Sequence, residues 1–233
     1  MKAKALFLLT AVAAMAFASQ DAVRFVRTYQ VGEKDTYNMS ISANTQMGQF
    51  DIKMQVTNTI KKVYENGDAD QETAVGEMKL LMNGNEMPMP GAGQQKPTIV
   101  RVNKFGQPAD PKQAPRGQAG MMGGLDQLIN IGGRLMDREF KVGERQTIDQ
   151  KSDDGKSHVT GTVLLESITD GMAKVVSDLN IKTADAPQPL KVQSTIWVHV
   201  ASGKATKVEG TAKNIPSQGF QIDDLKFTMQ LVK

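Results

Sequence analysis

Apolar and polar side chains alternate one for one along much of this chain. That period of two constrains the fold more than any other feature, because successive residues of a strand face opposite sides of a sheet. Tyr37, Met39, Ile41 and Ala43 alternate with Asn38, Ser40 and Ser42, and Phe50, Ile52, Met54 and Val56 alternate with Asp51, Lys53 and Gln55. The pattern returns at Val192, Ser194, Ile196, Val198 and Val200, and again at Leu225, Phe227, Met229 and Leu231, between which stand Lys226, Thr228 and Gln230. Strands with one wet face belong to antiparallel sheets. Asn66-Gly67, Asp154-Gly155, Asp170-Gly171 and Ser202-Gly203 separate such runs with residues tolerant of positive φ, as hairpins require. The expected fold is all-β, with antiparallel meanders forming a barrel, half-barrel or sandwich.

Other segments depart from the alternation. Residues 1–20 carry Lys2 and Lys4, an apolar run from Ala5 to Ala14, then Ala16-Phe17-Ala18. This is the succession of a secretory signal helix over 1–18, cleaved after Ala18. A spanning helix needs about 20 apolar residues, and this run breaks at Ser19-Gln20-Asp21, so the mature chain is expected to have no membrane span. Met121, Met122, Leu125, Leu128, Ile129, Gly132, Leu135 and Met136 fall at three- and four-residue spacings, which predicts one short amphipathic helix over 121–136. Residues 83–120 are rich in Pro, Gly and Gln and read as a linker, inside which only 98–102 has the character of a strand. The linker and the helix separate a first β module, 19–82, from a second, 137–233. Val31-Gly32-Glu33 followed by Thr36 recurs as Val142-Gly143-Glu144 followed by Thr147, each after an aromatic residue, so the modules are expected to be related halves.

Charge and cysteine content exclude several classes. The net charge of +3 loses two units with Lys2 and Lys4, which removes the electrostatic case for nucleic acid. With no Cys in the chain, disulfides, zinc-thiolate sites, Cys nucleophiles and an N-terminal lipid-bearing Cys are all excluded.

The sequence resembles a family of uncharacterised exported bacterial β-rich proteins, a domain of unknown function built from two modules. The resemblance is carried by Tyr29-Gln-Val31-Gly32-Glu33-Lys-Asp-Thr36-Tyr37, by Val63-Tyr64-Glu65-Asn66-Gly67-Asp68-Ala69, by the Gly- and Met-containing helical stretch, and by Phe140-Lys-Val142-Gly143-Glu144. Members often carry a Trp shortly after the second Val-Gly-acidic element, where this chain has Arg145-Gln146-Thr147, and many carry a lipid-attachment Cys that it lacks. The resemblance implies a two-module β fold and an exported location, the periplasm or the extracellular space; the family has no assigned activity, so it implies nothing further.

No constellation of residues announces catalysis. His158 and His199 fall in different strand regions without spacing that would bring partners to them, and no nucleophile elbow, Walker loop or His-Glu-x-x-His element occurs. Asn66, Asp68, Asp70 and Glu72 alternate like calcium ligands, but the Gly stands at 67 and no Glu follows at the bidentate position, so they read as an Asn-Gly hairpin. Asp153-Asp154 and Asp223-Asp224 read as solvated turn acids. Met87, Met89, Met121 and Met122 could offer thioethers to Cu(I), yet they read as loop residues and apolar filler. Trp197 and Tyr37 read as sheet packing. The expectation is a non-enzymatic envelope binding or interaction protein without cofactor or metal, its partner an apolar small molecule or another envelope protein. The alternative is a carrier or sensor of an apolar ligand such as a lipid, held by Met39, Met54, Leu128, Ile129 and Met229.

N-terminal sequencing of mature protein from the envelope is expected to begin at Ser19; a product starting at Met1 or embedded in membrane refutes the leader.

Overall fold

The computed structural model describes residues 22–45, 48–88, 96–110, 137–151, 155, 157–183, 188–215 and 222–232. The expected signal segment, the helix over 121–136 and Asp153-Asp154 lie outside them. Among the described residues the regular structure is β throughout, and no helix is long and apolar enough to cross a membrane. The strands are β1 (Val23–Arg24), β2 (Lys34–Thr45), β3 (Gly48–Val63), β4 (Ala69–Met82), β5 (Asn85–Met87), β6 (Thr98–Val102), β7 (Glu139–Phe140), β8 (Arg145–Lys151), β9 (Ser157–Thr169), β10 (Met172–Thr183), β11 (Leu190–His199), β12 (Lys204–Ile215) and β13 (Ile222–Leu231).

Eleven of them form one antiparallel sheet in the order β5-β4-β3-β2-β13-β12-β11-β10-β9-β8, with β6 also on β4. The first long strand, β2, therefore pairs with the last, β13, from Leu231 opposite Tyr37 to Ile222 opposite Thr45. The sheet ends at β8 and at the β5 and β6 margin, so it is open rather than a closed barrel. A separate ribbon pairs β1 with β7, where Phe25 and Phe140 meet with ring centroids 5.6 Å apart.

The alternation read from the sequence is the burial pattern. Ile41, Ala43, Ile52, Met54, Ile148, Val163, Leu165, Val175, Leu179, Val192, Ile196, Val198, Ala212 and Leu225 belong to one buried cluster with Phe25 and Phe140. Each fully buried aliphatic side chain contributes about 1.5–3 kcal/mol. A smaller cluster of Tyr29, Ile60, Ala69, Val100 and Val102 lies where β6 covers β4. The other face is wet. There Trp197 stands among polar residues, with the Lys207 Nζ 4.4 Å from the centre of its ring.

The turns use the residues the hairpins demand. Asp170 and Gly171, between β9 and β10, both have positive φ (51° and 75°). Asn83 and Gly84 do the same (50° and 82°), which turns the beginning of the expected linker into the β4–β5 hairpin. The two Val-Gly-Glu turns share one geometry. The Gly32 amide donates to the Ile60 carbonyl and the Gly143 amide to the Leu165 carbonyl, both at 2.8 Å. Glu33 and Glu144 each donate to the carbonyl three residues back, both at 3.0 Å.

Gly161 lies opposite Leu179 with a φ of 146°, and a Cβ there would overlap the Asp178 carbonyl, whereas one at Gly84 would enter open space. Gly84→Ala is expected to cost about 1–2 kcal/mol of conformational strain, and Gly161→Ala about 2–5 kcal/mol once overpacking is added. Urea denaturation measures both; equal losses would contradict the β9–β10 register.

Candidate functional site

The strand register assembles a single row of side chains across eight strands on the buried face. Leu165 of β9 opposes Val175, Val175 opposes Ile196, Ile196 opposes Val208, and Val208 opposes Met229. Met229 then opposes Met39, Met39 opposes Met54, and Met54 opposes Met78 of β4. Half of the row is aliphatic and half is thioether.

Burial follows the same division. Leu165 and Val175 are sealed, Met54 is 9 % exposed, and Met39, Met78 and Met229 are half-buried. Three of the expected ligand-contacting residues, Met39, Met54 and Met229, are thus direct neighbours, while Leu128 and Ile129 lie outside the described residues. Met78 escapes sequence reading because β4 shifts register against β3 between Met54 and Val56, so the alternation there loses its phase. On these same four strands, β13, β2, β3 and β4, the rows on either side use no methionine: Phe227, Ile41, Ile52 and Leu80 on one, which Met87 of β5 continues, and Leu231, Tyr37, Val56 and Val75 on the other.

Near the Tyr37 end of this face, four charged groups close a ring. Arg27 contacts Glu33 at 3.1 Å and Asp35 at 2.9 Å, and Lys204 contacts Glu33 at 2.7 Å and Asp35 at 2.6 Å. Two cations meet two anions, and Asp35 is only 6 % exposed. One Arg27 nitrogen, Nη1, is buried with no hydrogen-bond partner among the described residues. The ring fastens the segment before β2 to the start of β12. The Arg27 amide also donates to the Lys104 carbonyl at 2.7 Å, and the chain at Val26 passes so close to Gly203 that a side chain there would overlap its backbone.

Two tyrosines flank the ring. Tyr29 donates to the Asn103 carbonyl and Tyr37 to the Ala205 carbonyl. Burial pushes the Tyr29 hydroxyl up to about 12, and burial together with the Asp35 charge raises that of Tyr37 further. For Glu33, burial favours the neutral acid, but hydrogen bonds from Lys204 and the charge of Arg27 outweigh it and hold its pKa below the ordinary 4.5. For Lys204, burial disfavours the charge, but Asp35 and Glu33 outweigh it and hold the pKa above the ordinary 10.5. Glu33 and Asp35 sit two residues apart within the Val-Gly-Glu stretch; their cations come from positions 27 and 204, so sequence spacing does not announce the ring.

The remaining candidates have local partners. His158 Nε2 lies 2.6 Å from Asp149 Oδ1, and His199 Nδ1 lies 3.2 Å from the Ser202 hydroxyl. His158 pairs with Lys182 at one end of β10 and His199 with Met172 at the other, about 33 Å apart at the usual strand rise. In the Asn66 turn, Asp68 accepts from Asn66 and Arg101, Asp70 from Tyr64, and Glu72 pairs with Lys61. Asp224 meets Lys213 at 3.3 Å, and Met87 is 42 % exposed opposite Leu80.

The ring sets a pH dependence whose sign differs at its two ends. The Glu33 contribution is present above 4.5 and is lost as pH falls through its lower folded pKa; that of Lys204 is present below 10.5 and is lost as pH rises through its higher folded pKa. Lys204→Met is expected to lower stability at neutral pH by about 1–3 kcal/mol, and Glu33→Gln to flatten the acid limb. Urea midpoints across pH measure both; an unchanged acid limb in Glu33→Gln would contradict the assignment.

No protein-family model and no curated protein matches the sequence. Among solved structures, the chain is similar to an exported protein with a YmcC-like fold from Bacteroides fragilis, at 14% identity over 89% of this chain and 97% of that one, with a TM-score of 0.32. It is also similar to a lipoprotein from Parabacteroides distasonis, at 8% identity over 91% and 98% with a TM-score of 0.31. A third is an outer membrane lipoprotein-sorting protein domain from Vibrio parahaemolyticus, at 11% identity over 88% and 85% with a TM-score of 0.25.

Proposed function

We propose that the chain is an exported, non-catalytic protein of the cell envelope that binds an apolar molecule, such as a lipid, against the buried face of its sheet. The observation that carries this reading is the row from Leu165 to Met78. It is apolar along its whole length, sealed at the β9 end and half-buried at Met229, Met39 and Met78. Thioether side chains repack around guests of different shape more readily than branched ones. Open antiparallel sheets that curl into a half-barrel or sandwich offer such a face as a mouth for small apolar ligands, which supports the reading.

Export rests on the leader-like residues 1–18, and the absence of catalysis on histidines held at opposite ends of β10 by their own neighbours. The relation between the two halves is part of the same proposal, supported by the matching hydrogen bonds of the Gly32 and Gly143 turns.

Titration of mature protein with a fluorescent fatty acid is expected to saturate, and Met229→Asp or Met39→Asp to weaken it about tenfold or more, with circular dichroism unchanged. Wild-type protein that neither binds the probe nor carries a lipid in native mass spectrometry would eliminate this function.

A further inference from the structure

Packing alone explains why the row is apolar; it does not explain why its thioethers are consecutive. The chain has fourteen methionines, and Met229, Met39, Met54 and Met78 stand side by side on four neighbouring strands. The rows immediately above and below, on the same strands, use Phe, Ile, Leu, Tyr and Val instead. General filler would be scattered over all three rows.

Directly paired residues on antiparallel strands have Cα atoms about 4.5–5.5 Å apart, and the unbranched Met side chain has three rotatable bonds with which to bring its sulfur toward a neighbour's. The surroundings select the ion. Aliphatic and aromatic rows flank the thioethers, and their paired neighbours along the row are apolar, with Val208 beyond Met229. The one oxygen among these side chains is the neutral Tyr37 hydroxyl, which donates to the Ala205 carbonyl, so a hard cation finds no set of oxygen ligands here, whereas a soft monovalent ion needs none. A single positive charge held by neutral ligands is also less costly to desolvate than a divalent one. Met39, Met78 and Met229 are only half-buried, so an ion can reach the row from solvent.

We infer that this row is a thioether site for Cu(I), with Met39 and Met54 at its centre and Met229 and Met78 as the outer donors. The site shares its residues with the proposed apolar-ligand face but does not depend on that function, because leucine preserves the apolar surface while removing the donor.

The test is anaerobic titration of the mature full chain with Cu(I) held by bicinchoninate under ascorbate, alongside the fatty-acid titration. The protein is expected to withdraw copper from the chelator; Met39→Leu and Met54→Leu should each weaken this about tenfold or more, and Met87→Leu, outside the row, should leave it unchanged. Circular dichroism checks that each variant is folded. In labelled wild-type protein, the methionine methyl resonances that move on adding Ag(I) should be those of the row. Failure to compete with the chelator, competition indifferent to leucine at 39 and 54, or loss through Met87→Leu instead would each overturn the site. Retention of the fatty acid by the leucine variants separates failure of the metal site from failure of the apolar one.

Discussion

The pairing of β2 with β13 is the contact on which the rest of the molecule depends. β13 lies between β2 and β12, so removing it divides the sheet into a β2 to β6 piece and a β8 to β12 piece, each with a new unpaired edge. The features that give the molecule its chemistry straddle this seam. Met229 is on β13 with Met39 beside it, Tyr37 reaches across to the Ala205 carbonyl, and the charged ring joins residues before and within β2 to Lys204 at the head of β12. A pairing between strands so distant in the sequence has a loop-closure cost and forms slowly. Both strands must therefore be available before the buried face is complete.

The seam combines two kinds of environment. The methionine row is neutral, flexible and soft, and it meets its neighbours by shape. The ring of Arg27, Glu33, Asp35 and Lys204 is charged and geometrically demanding, and it positions the approach to β2 through contacts that lose their value when one partner is removed. A face that meets its neighbours by shape is thus bounded by a corner that resists rearrangement.

Much of this was legible in the alternation. β2, β3, β11 and β13 lie where apolar and polar residues take turns, and Gly67, Gly171 and Gly203 mark the β3–β4, β9–β10 and β11–β12 hairpins because positive φ leaves a residue-level trace. Asn83-Gly84 carried the same signal but was obscured by the Pro- and Gly-rich composition that follows it. What could not be read was register. Met39, Met54 and Met229 could be placed on apolar faces, but that they are adjacent, and that Met78 completes the series, depends on pairings between distant strands and on a bulge that shifts β4. The charged ring was hidden for the same reason: two acids two residues apart look like any solvated pair until Arg27 and Lys204 are brought to them from both sides.

The seam also changes how the topology is understood. Read along the sheet, the order runs β8 through β13 and continues with β2 through β5, each strand beside its successor except at the seam between β13 and β2. The Val232 amide, just past β13, donates to the Thr36 carbonyl near the beginning of β2 at 2.8 Å. The architecture is therefore a simple up-and-down meander opened at its middle and rejoined across the connection between β6 and β7. Strand order and chain order differ by a circular permutation, so the same sheet can be encoded by a polypeptide that starts at β7 and ends at β6, with a linker joining β13 to β1.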